Sequence, residues 1–325
     1  MPQSATHGRM IAHGCSPISG DAANNGSTMT AASAPQVEWL DTVDSTNEAV
    51  RRRFADEEQF AQFQTVATTN QTAGRGRLDR EWIETPDASL AISTYLEFSA
   101  DAARTSIGWV TLAAGLALRA TLAELAGQHQ ASRLQLKWPN DVLIEGRKTA
   151  GILGEILGVI AGGERFACVV GTGINLRDPQ ALTTPIPIVA PPAAAGAAFA
   201  AAQVSEAFAN ADALANATSI ADLGVHVPHE DLAARYIGEL AARIDALIAH
   251  DGDAEASGLA AELRDNLTTL GRRVRVNRLE DTDLVGTASG VAPTGELLVT
   301  DDAGTEHAVR VGDVQHLRLD DGSLA

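Results

Sequence analysis

Cysteine is almost absent from this chain of 325 residues, which has only Cys15 and Cys168. Two thiols exclude a disulfide framework and a four-cysteine zinc site. Lysine is equally scarce, with Lys137 and Lys148 set against 22 arginines. No uninterrupted run of about 18 apolar residues occurs, which argues against a membrane span. Met1 is not followed by a basic start and an apolar core, so no secretory signal is expected. Positive charge is in deficit too: 42 acidic residues against 24 basic ones leave a formal net charge of −18. Duplex phosphates repel a uniformly acidic chain, so nucleic acid is not an expected partner. These absences lead to the expectation of a cytoplasmic, non-membrane protein. A hydrophobic fraction of 45% suffices for a sizeable core, and the length suggests two domains.

Residues 1–34 are mostly small and polar, without aromatics or apolar periodicity. Such a segment cannot offset its ordering entropy by burial, and it is expected to be a disordered tail, with structure beginning at Val37. No N-terminal helix-turn-helix domain is expected within it. Residues 179–218 are rich in Ala and Pro, with Glu206 and Asp212 their only charges. They are expected to form an insertion or long loop. Between these stretches the pattern alternates. Ser45 with Glu48 reads as a capping box opening a helix through Phe54. Residues 64–69, 90–96, 134–138, 142–144, 148–157 and 166–174 read as strands. Trp109, Leu112, Leu116 and Ala120 recur at helical spacing, and a helix is expected over 231–250 with Leu232, Tyr236, Leu240, Ile244, Leu247 and Ile248 on one face. From Leu270 onward, short alternating runs at 274–277, 284–289, 296–300 and 306–309 predict a small β-barrel of about 50 residues. The expected division is a catalytic domain at 35–268 and a barrel at 269–325.

Three segments have the residue types of a chemical site. The first, Gly74-Arg75-Gly76-Arg77 with Arg80 and Trp82, follows a strand. Its glycines allow close backbone approach, and its arginines suit phosphate and carboxylate oxygens. It is not a Walker loop, since the chain has no Gly-Lys pair, and Asp79 breaks the dinucleotide fingerprint. A solvated turn in an arginine-rich protein is the bland alternative. The second is Lys137-Trp138-Pro139-Asn140-Asp141, after which a returning strand brings Lys148 back. A plain hairpin with an internal Lys–Asp pair is the alternative, but both lysines of the chain fall here, and lysine is the compact cation for a place where two anions meet. The third, Gly171-Thr172-Gly173-Ile174-Asn175, ends a buried strand. Gly-x-Gly is more often a close-packing device, and Asn175 has an amide able to read a purine edge. His226 and His229 lack a nearby third ligand and read as a loop.

Together with Asp44-Ser45-Thr46-Asn47, these segments resemble the biotin–protein ligase family, strongly over about 37–178 and weakly in the terminal barrel. The resemblance implies an α+β fold: a mixed sheet flanked by helices, related to class II aminoacyl-tRNA synthetases, followed by an SH3-like β-barrel. It implies activation of biotin by ATP with Mg²⁺ as biotinyl-5′-AMP, then transfer to a lysine of a biotin carboxyl carrier domain of acetyl-CoA carboxylase or a related carboxylase. Ser45, Thr46 and Asn47 would line the biotin pocket, with Gln71 beside the ureido ring. Arg75, Gly76 and Arg77 would close over both ligands, and Lys148 would lie between carboxylate and α-phosphate, making Lys148, Arg77 and Arg75 the catalytic set. Arg80, Trp82, Lys137, Asn140 and Asp141 would serve the nucleotide, with Asn175 facing adenine and Arg318 reaching in from the barrel. Two departures stand out: Asp79 occupies a position usually held by Gly, and the DNA-binding domain of repressor relatives is not expected. A monomer or homodimer is expected. A lipoyl or octanoyl ligase or transferase of the same fold, and a non-catalytic biotin-binding protein, are the competing readings.

Overall fold

The computed structural model describes residues 36–78, 80–82, 87–178, 216–277, 283–310 and 313–316. Asp79, Arg318, the 1–34 segment and residues 179–215 lie outside them, as do the expectations attached to those positions.

Seven strands form the larger sheet: β1 (Val37–Trp39), β2 (Thr65–Thr68), β3 (Ser89–Ser99), β4 (Leu134–Lys137), β5 (Asp141–Ile144), β6 (Arg147–Ile160) and β7 (Arg165–Asn175). Their order is β1-β2-β3-β7-β6-β5-β4. Only β1 and β2 run parallel; every other neighbouring pair is antiparallel, so the sheet is mixed, as expected. Successive side chains of a strand point to opposite faces. On β3 and β7 the even-numbered residues Leu90, Ile92, Leu96, Phe98, Cys168, Val170 and Ile174 enter the main core. The opposite face has Ser93, Tyr95, Val169, Gly171 and Gly173 in register across the same strands. One face is therefore apolar and filled, and the other is small and polar over much of its area.

Helices cover both faces. α1 (Thr46–Ala55) packs on the polar face, where Val50 meets Val66, Tyr95, Ala167 and Val169. α2 (Ala100–Ser106), α3 (Val110–Ala126), α4 (His229–Ala249) and α5 (Leu259–Asn266) belong to the other side, where α3 lies between the sheet and α4. α3 is apolar nearly all round because it is enclosed. The stretch Ala100–Ala126 is helical, its most apolar 18-residue window has a mean hydropathy of 1.4, and most of that window is buried inside the protein. It is a core element.

The smaller sheet contains β8 (Arg273–Asn277), β9 (Leu284–Val291), β10 (Leu297–Asp301), β11 (Glu306–Val309) and β12 (Asp313–His316), ordered β11-β10-β9-β8-β12 and antiparallel throughout. Val274, Val276, Leu284, Ala288, Leu297, Val299 and Val309 fill its interior.

Several local expectations need correction. The capping box does not form. Ser45 sits extended at the N-cap (φ −151°, ψ 136°) without a side-chain capping bond. Asp44 instead accepts the Ser45 N–H at 2.8 Å, and Glu48 pairs with Arg51 and Arg75. β4 stops at Lys137, and Trp138–Asn140 form a turn whose Trp138–Pro139 peptide is cis. α4 starts at His229, so that residue is helical rather than part of a loop. α5 and β12 were not anticipated. The last residues of the Ala- and Pro-rich stretch are integral: Ala217 bridges Lys148, and Thr218 is buried.

Candidate active site

Residues from α1, β2, β3, β6 and β7 converge on the polar face of the sheet. Ser45, Thr46 and Asn47 are all buried at the first turn of α1. Gln71 Oε1 accepts from Thr46 N at 2.8 Å and from Thr46 Oγ1 at 3.1 Å, which ties the segment after β2 to the helix start. Ser93 Oγ donates toward Asn47 Oδ1 at 2.6 Å and lies 2.7 Å from Thr46 Oγ1. Asn47 Nδ2 donates to Glu155 Oε2 at 2.8 Å and to the Leu153 carbonyl at 3.2 Å. Buried polar groups linked this way hold one geometry, since breaking any link strands a desolvated partner.

Glycine makes the floor. Gly151 of β6 is the register partner of Gly173 of β7, and Leu153 is the partner of Gly171. A Cβ on Gly171 would collide with the Asn47 amide, and one on Gly173 would come within 2.5 Å of the Trp82 ring. A Cβ on Gly151 would meet both Trp82 and the end of Lys148 at 3.0 Å. The Trp82 indole thus lies flat across two strands where no side chain intervenes. Among the described residues its buried Nε1 has no hydrogen-bond partner.

The arginine loop borders this floor. Gly76 N donates to the Arg80 carbonyl at 2.7 Å and Trp82 N to the Gly74 carbonyl at 2.9 Å, bringing residues 80–82 back against 74–76. Arg75 lies 3.2 Å from Glu48 and 3.7 Å from Glu155, and Arg51 also donates to Glu155. Arg77 Nη1 reaches Asn140 Oδ1 at 3.4 Å, which brings the first and second motifs together.

At the adjoining rim, Lys137 and Asp141 are register partners across the turn between β4 and β5. Asn140 is locked to β6, its Nδ2 donating to the Ile152 carbonyl at 2.8 Å and its carbonyl accepting Ile152 N at 2.9 Å. Lys148 Nζ lies 2.6 Å from Asp141 Oδ1 and 5.6 Å from the centre of the Trp82 ring. A crevice at this turn, with room for about one water molecule, is lined by Lys137, Asn140 and Asp141 with Thr111 and Gly115 of α3. It is far too small to be a nucleotide site. Asn175, expected to read adenine, uses its Nδ2 on the Thr218 carbonyl at 2.9 Å and on the Lys148 carbonyl at 3.5 Å. In this state it fastens residues 216–218 to β6.

Sequence reasoning missed Ser93, Glu155 and Gly151. Ser93 had a signal, as a polar residue inside the apolar run 90–96. Glu155 had one too, as the only charge in 149–163. Each faces the site because of the sheet's alternation, which is visible only once register is known.

Comparison with known proteins agrees with this geometry. Residues 39–175 match the Biotin/lipoate A/B protein ligase family, and residues 269–317 match the Biotin protein ligase C terminal domain. A Biotin--[acetyl-CoA-carboxylase] ligase of Mycobacterium tuberculosis is 34% identical over 250 residues, covering 77% of each chain. The Bifunctional ligase/repressor BirA of Escherichia coli is 32% identical over 137 residues, which span 42% of this chain and 39% of that one. In fold, the chain is similar to the biotin protein ligase of Aquifex aeolicus solved in complex with biotin and ATP, at TM-score 0.59 and 20% identity, over 86% of this chain and 97% of that one. A mixed sheet with a glycine floor, an arginine loop and a lysine rim, followed by a small antiparallel sheet, defines a ligase-type catalytic chain. The chain belongs to the biotin protein ligase family.

Proposed function

We propose that this chain is an ATP-dependent biotin–protein ligase, which forms biotinyl-5′-AMP and passes biotin to a carrier lysine. The observation that supports it best is the rim itself: Lys148 Nζ lies 2.6 Å from Asp141 Oδ1 beside the Asn140 turn, and Lys148 belongs to β6, a strand that α1, with its buried Ser45–Asn47 start, also contacts. In the first half-reaction a biotin carboxylate oxygen attacks the α-phosphorus and pyrophosphate leaves. Both reactants are anions, and their repulsion opposes the encounter unless cations stand between them. Lys148 has three N–H donors, of which Asp141 takes one direction, leaving donors for the meeting oxygens. Arg75 and Arg77 add charge from the loop, and Gln71, Thr46 and Asn47 offer neutral polar contacts suited to a ureido group. In the second half-reaction a carrier lysine amine attacks the acyl carbon and AMP leaves with the electron pair. Covering the mixed anhydride by residues 74–82 protects it from water.

Arg80, Trp82, Lys137, Asn175 and Arg318 complete the nucleotide side of this reading. Magnesium belongs to it as part of the ATP substrate. Among the described residues no three His, Cys, Asp or Glu side chains group to hold a metal. Mg²⁺ needs only phosphate oxygens, water and one or two carboxylates. The division into 35–268 and 269–325, the biotin carboxyl carrier domain as partner, a cytoplasmic location and a monomer or homodimer are parts of the same reading.

Biotin-dependent ATP–pyrophosphate exchange, followed by transfer to a purified carrier domain, tests it. Exchange driven by lipoate or octanoate in place of biotin would overturn the substrate assignment. Biotin binding without any exchange would overturn the activity.

A further inference from the structure

The turn that joins two strands of the smaller sheet meets the larger unit beside the candidate site. The turn at residues 292–296, between β9 and β10, is received by two tryptophans of the larger unit. Trp109 Nε1 donates to the Pro293 carbonyl at 2.8 Å, and Trp138 Nε1 donates to the Gly295 carbonyl at 3.1 Å. Both rings are buried. The fit is backbone against backbone: a Cβ on Gly108 would collide with the Thr294 carbonyl. Gly295 has φ +90°, in the left-handed region where a side chain is strained. A third bond holds Trp138 from the connection into the same sheet, its backbone N donating to Thr269 Oγ1 at 3.0 Å.

The two tryptophans differ in what they adjoin. Trp109 precedes α3 and, apart from its bond to the turn, packs in the core. Trp138 sits between Lys137 and Asn140, the turn that accepts Arg77 and places Asp141 opposite Lys148.

We propose that the 293–295 turn and Thr269 are positioning elements for the Lys137–Asp141 turn, acting through Trp138. The terminal sheet then sets the geometry of the rim where the anions meet. This rests on the ligase reading for its kinetic consequence, but the mechanical coupling does not. Small displacements at such a rim have large effects on rate, because productive alignment tolerates less than about 1 Å of error.

The test uses the full chain with Trp138→Phe, Thr269→Val and Trp109→Phe. The two Trp→Phe changes each remove an indole N–H and the same part of a buried ring, so that they control for each other, and Thr269→Val removes a hydroxyl at nearly constant volume. Backbone hydrogen exchange of peptides spanning 137–153 is measured first, without ligand. It is expected to rise in Trp138→Phe and Thr269→Val and to stay at the wild-type level in Trp109→Phe, which loses an equivalent bond to the same turn. In pyrophosphate exchange the first two variants should then lose about tenfold in kcat or in KM for ATP. Their biotin Kd should change by less than about twofold, and Trp109→Phe should keep wild-type kinetics. Equal melting-temperature losses in all three, with protection of 137–153 and kcat unchanged, overturn the proposal. If Trp138→Phe fails to fold, Thr269→Val decides alone. Wild-type protein without biotin-dependent exchange would sink the ligase reading, and the ligand-free measurement would still decide the coupling.

Discussion

Lys148 Nζ stands 2.6 Å from Asp141 Oδ1 while its ammonium also lies 5.6 Å from the centre of the Trp82 ring. An anion on one side and a π-face on the other hold a long, flexible side chain at the rim before any substrate arrives. This preorganisation matters because a cation already in place needs no rearrangement when two anions meet. Lys148→Ala is therefore expected to slow biotin-dependent pyrophosphate exchange by about 10²–10³. Biotin affinity should fall less, because Thr46, Asn47 and Gln71 remain. Lys148→Arg should rescue only part of the rate, since a planar fork does not fill a point-charge site. Wild-type exchange rates in Lys148→Ala would move the role to Lys137.

Arg75 is about half exposed, and its pairs with Glu48 and Glu155 are solvent-screened. Its removal should cost less than about 1 kcal/mol of stability. The kinetic expectation is different: Arg75→Ala should release biotinyl-5′-AMP faster, because one clamp of the folded-back loop is gone. Adenylate dissociation by stopped flow, beside a thermal melt, separates the two effects. Unchanged release would place Arg75 on the surface alone.

The parts of the molecule legible in its sequence are those written in local pattern. The strand alternation and the α4 stripe from Leu232 to Leu247 announced the core, since buried apolar faces repeat at 2 and 3.6 residues. The three motifs marked their own places because Gly, Arg and Lys are unusual company at strand ends. What was illegible depends on pairing between distant segments. Ser45 and Glu48 obey the capping pattern, yet Glu48 is drawn to Arg51 three residues on, which the local sequence does signal, and to Arg75 on a distant loop, which it does not. α5 has only Leu259, Ala260 and Leu263 to bury and is too short to show a period. The use of Asn175 to hold Thr218 follows from the chain returning after residue 215, a matter of topology that no window of sequence contains.

Cys168 is sealed on the apolar face of β7, and burial pushes its thiol up to about 12 from an ordinary value near 9. The thiolate is the reactive form, so in a Cys15→Ser background native protein should resist iodoacetamide at pH 8 and react only when unfolded. The linkage has a sign. The folded thiol keeps its proton where the unfolded one loses it, so its contribution to stability is full below pH 9 and declines as pH rises toward 12. Cys168→Ala should flatten that alkaline decline in denaturant midpoints measured between pH 8 and 11. Rapid native alkylation would contradict the burial.

Two glycines two residues apart on β7 should respond very differently to one added methyl. At Gly171 the new Cβ would press on the Asn47 amide, which is buried and already committed to Ser93, Glu155 and the Leu153 carbonyl. That amide cannot retreat without stranding those partners, so Gly171→Ala should abolish measurable biotin binding and cost about 1–3 kcal/mol of stability through overpacking. At Gly173 the obstacle is the Trp82 ring, whose indole N–H has no partner among the described residues. No hydrogen bond to the indole there opposes a shift of the ring. Gly173→Ala should therefore melt near the wild type and still bind biotin, while losing adenylate formation to the extent that Trp82 must lie on the floor to shape the nucleotide side. Calorimetric biotin titration and pyrophosphate exchange on both variants check the contrast. Equal loss of biotin binding in the two would show that the floor, and not the Asn47 network, sets the pocket.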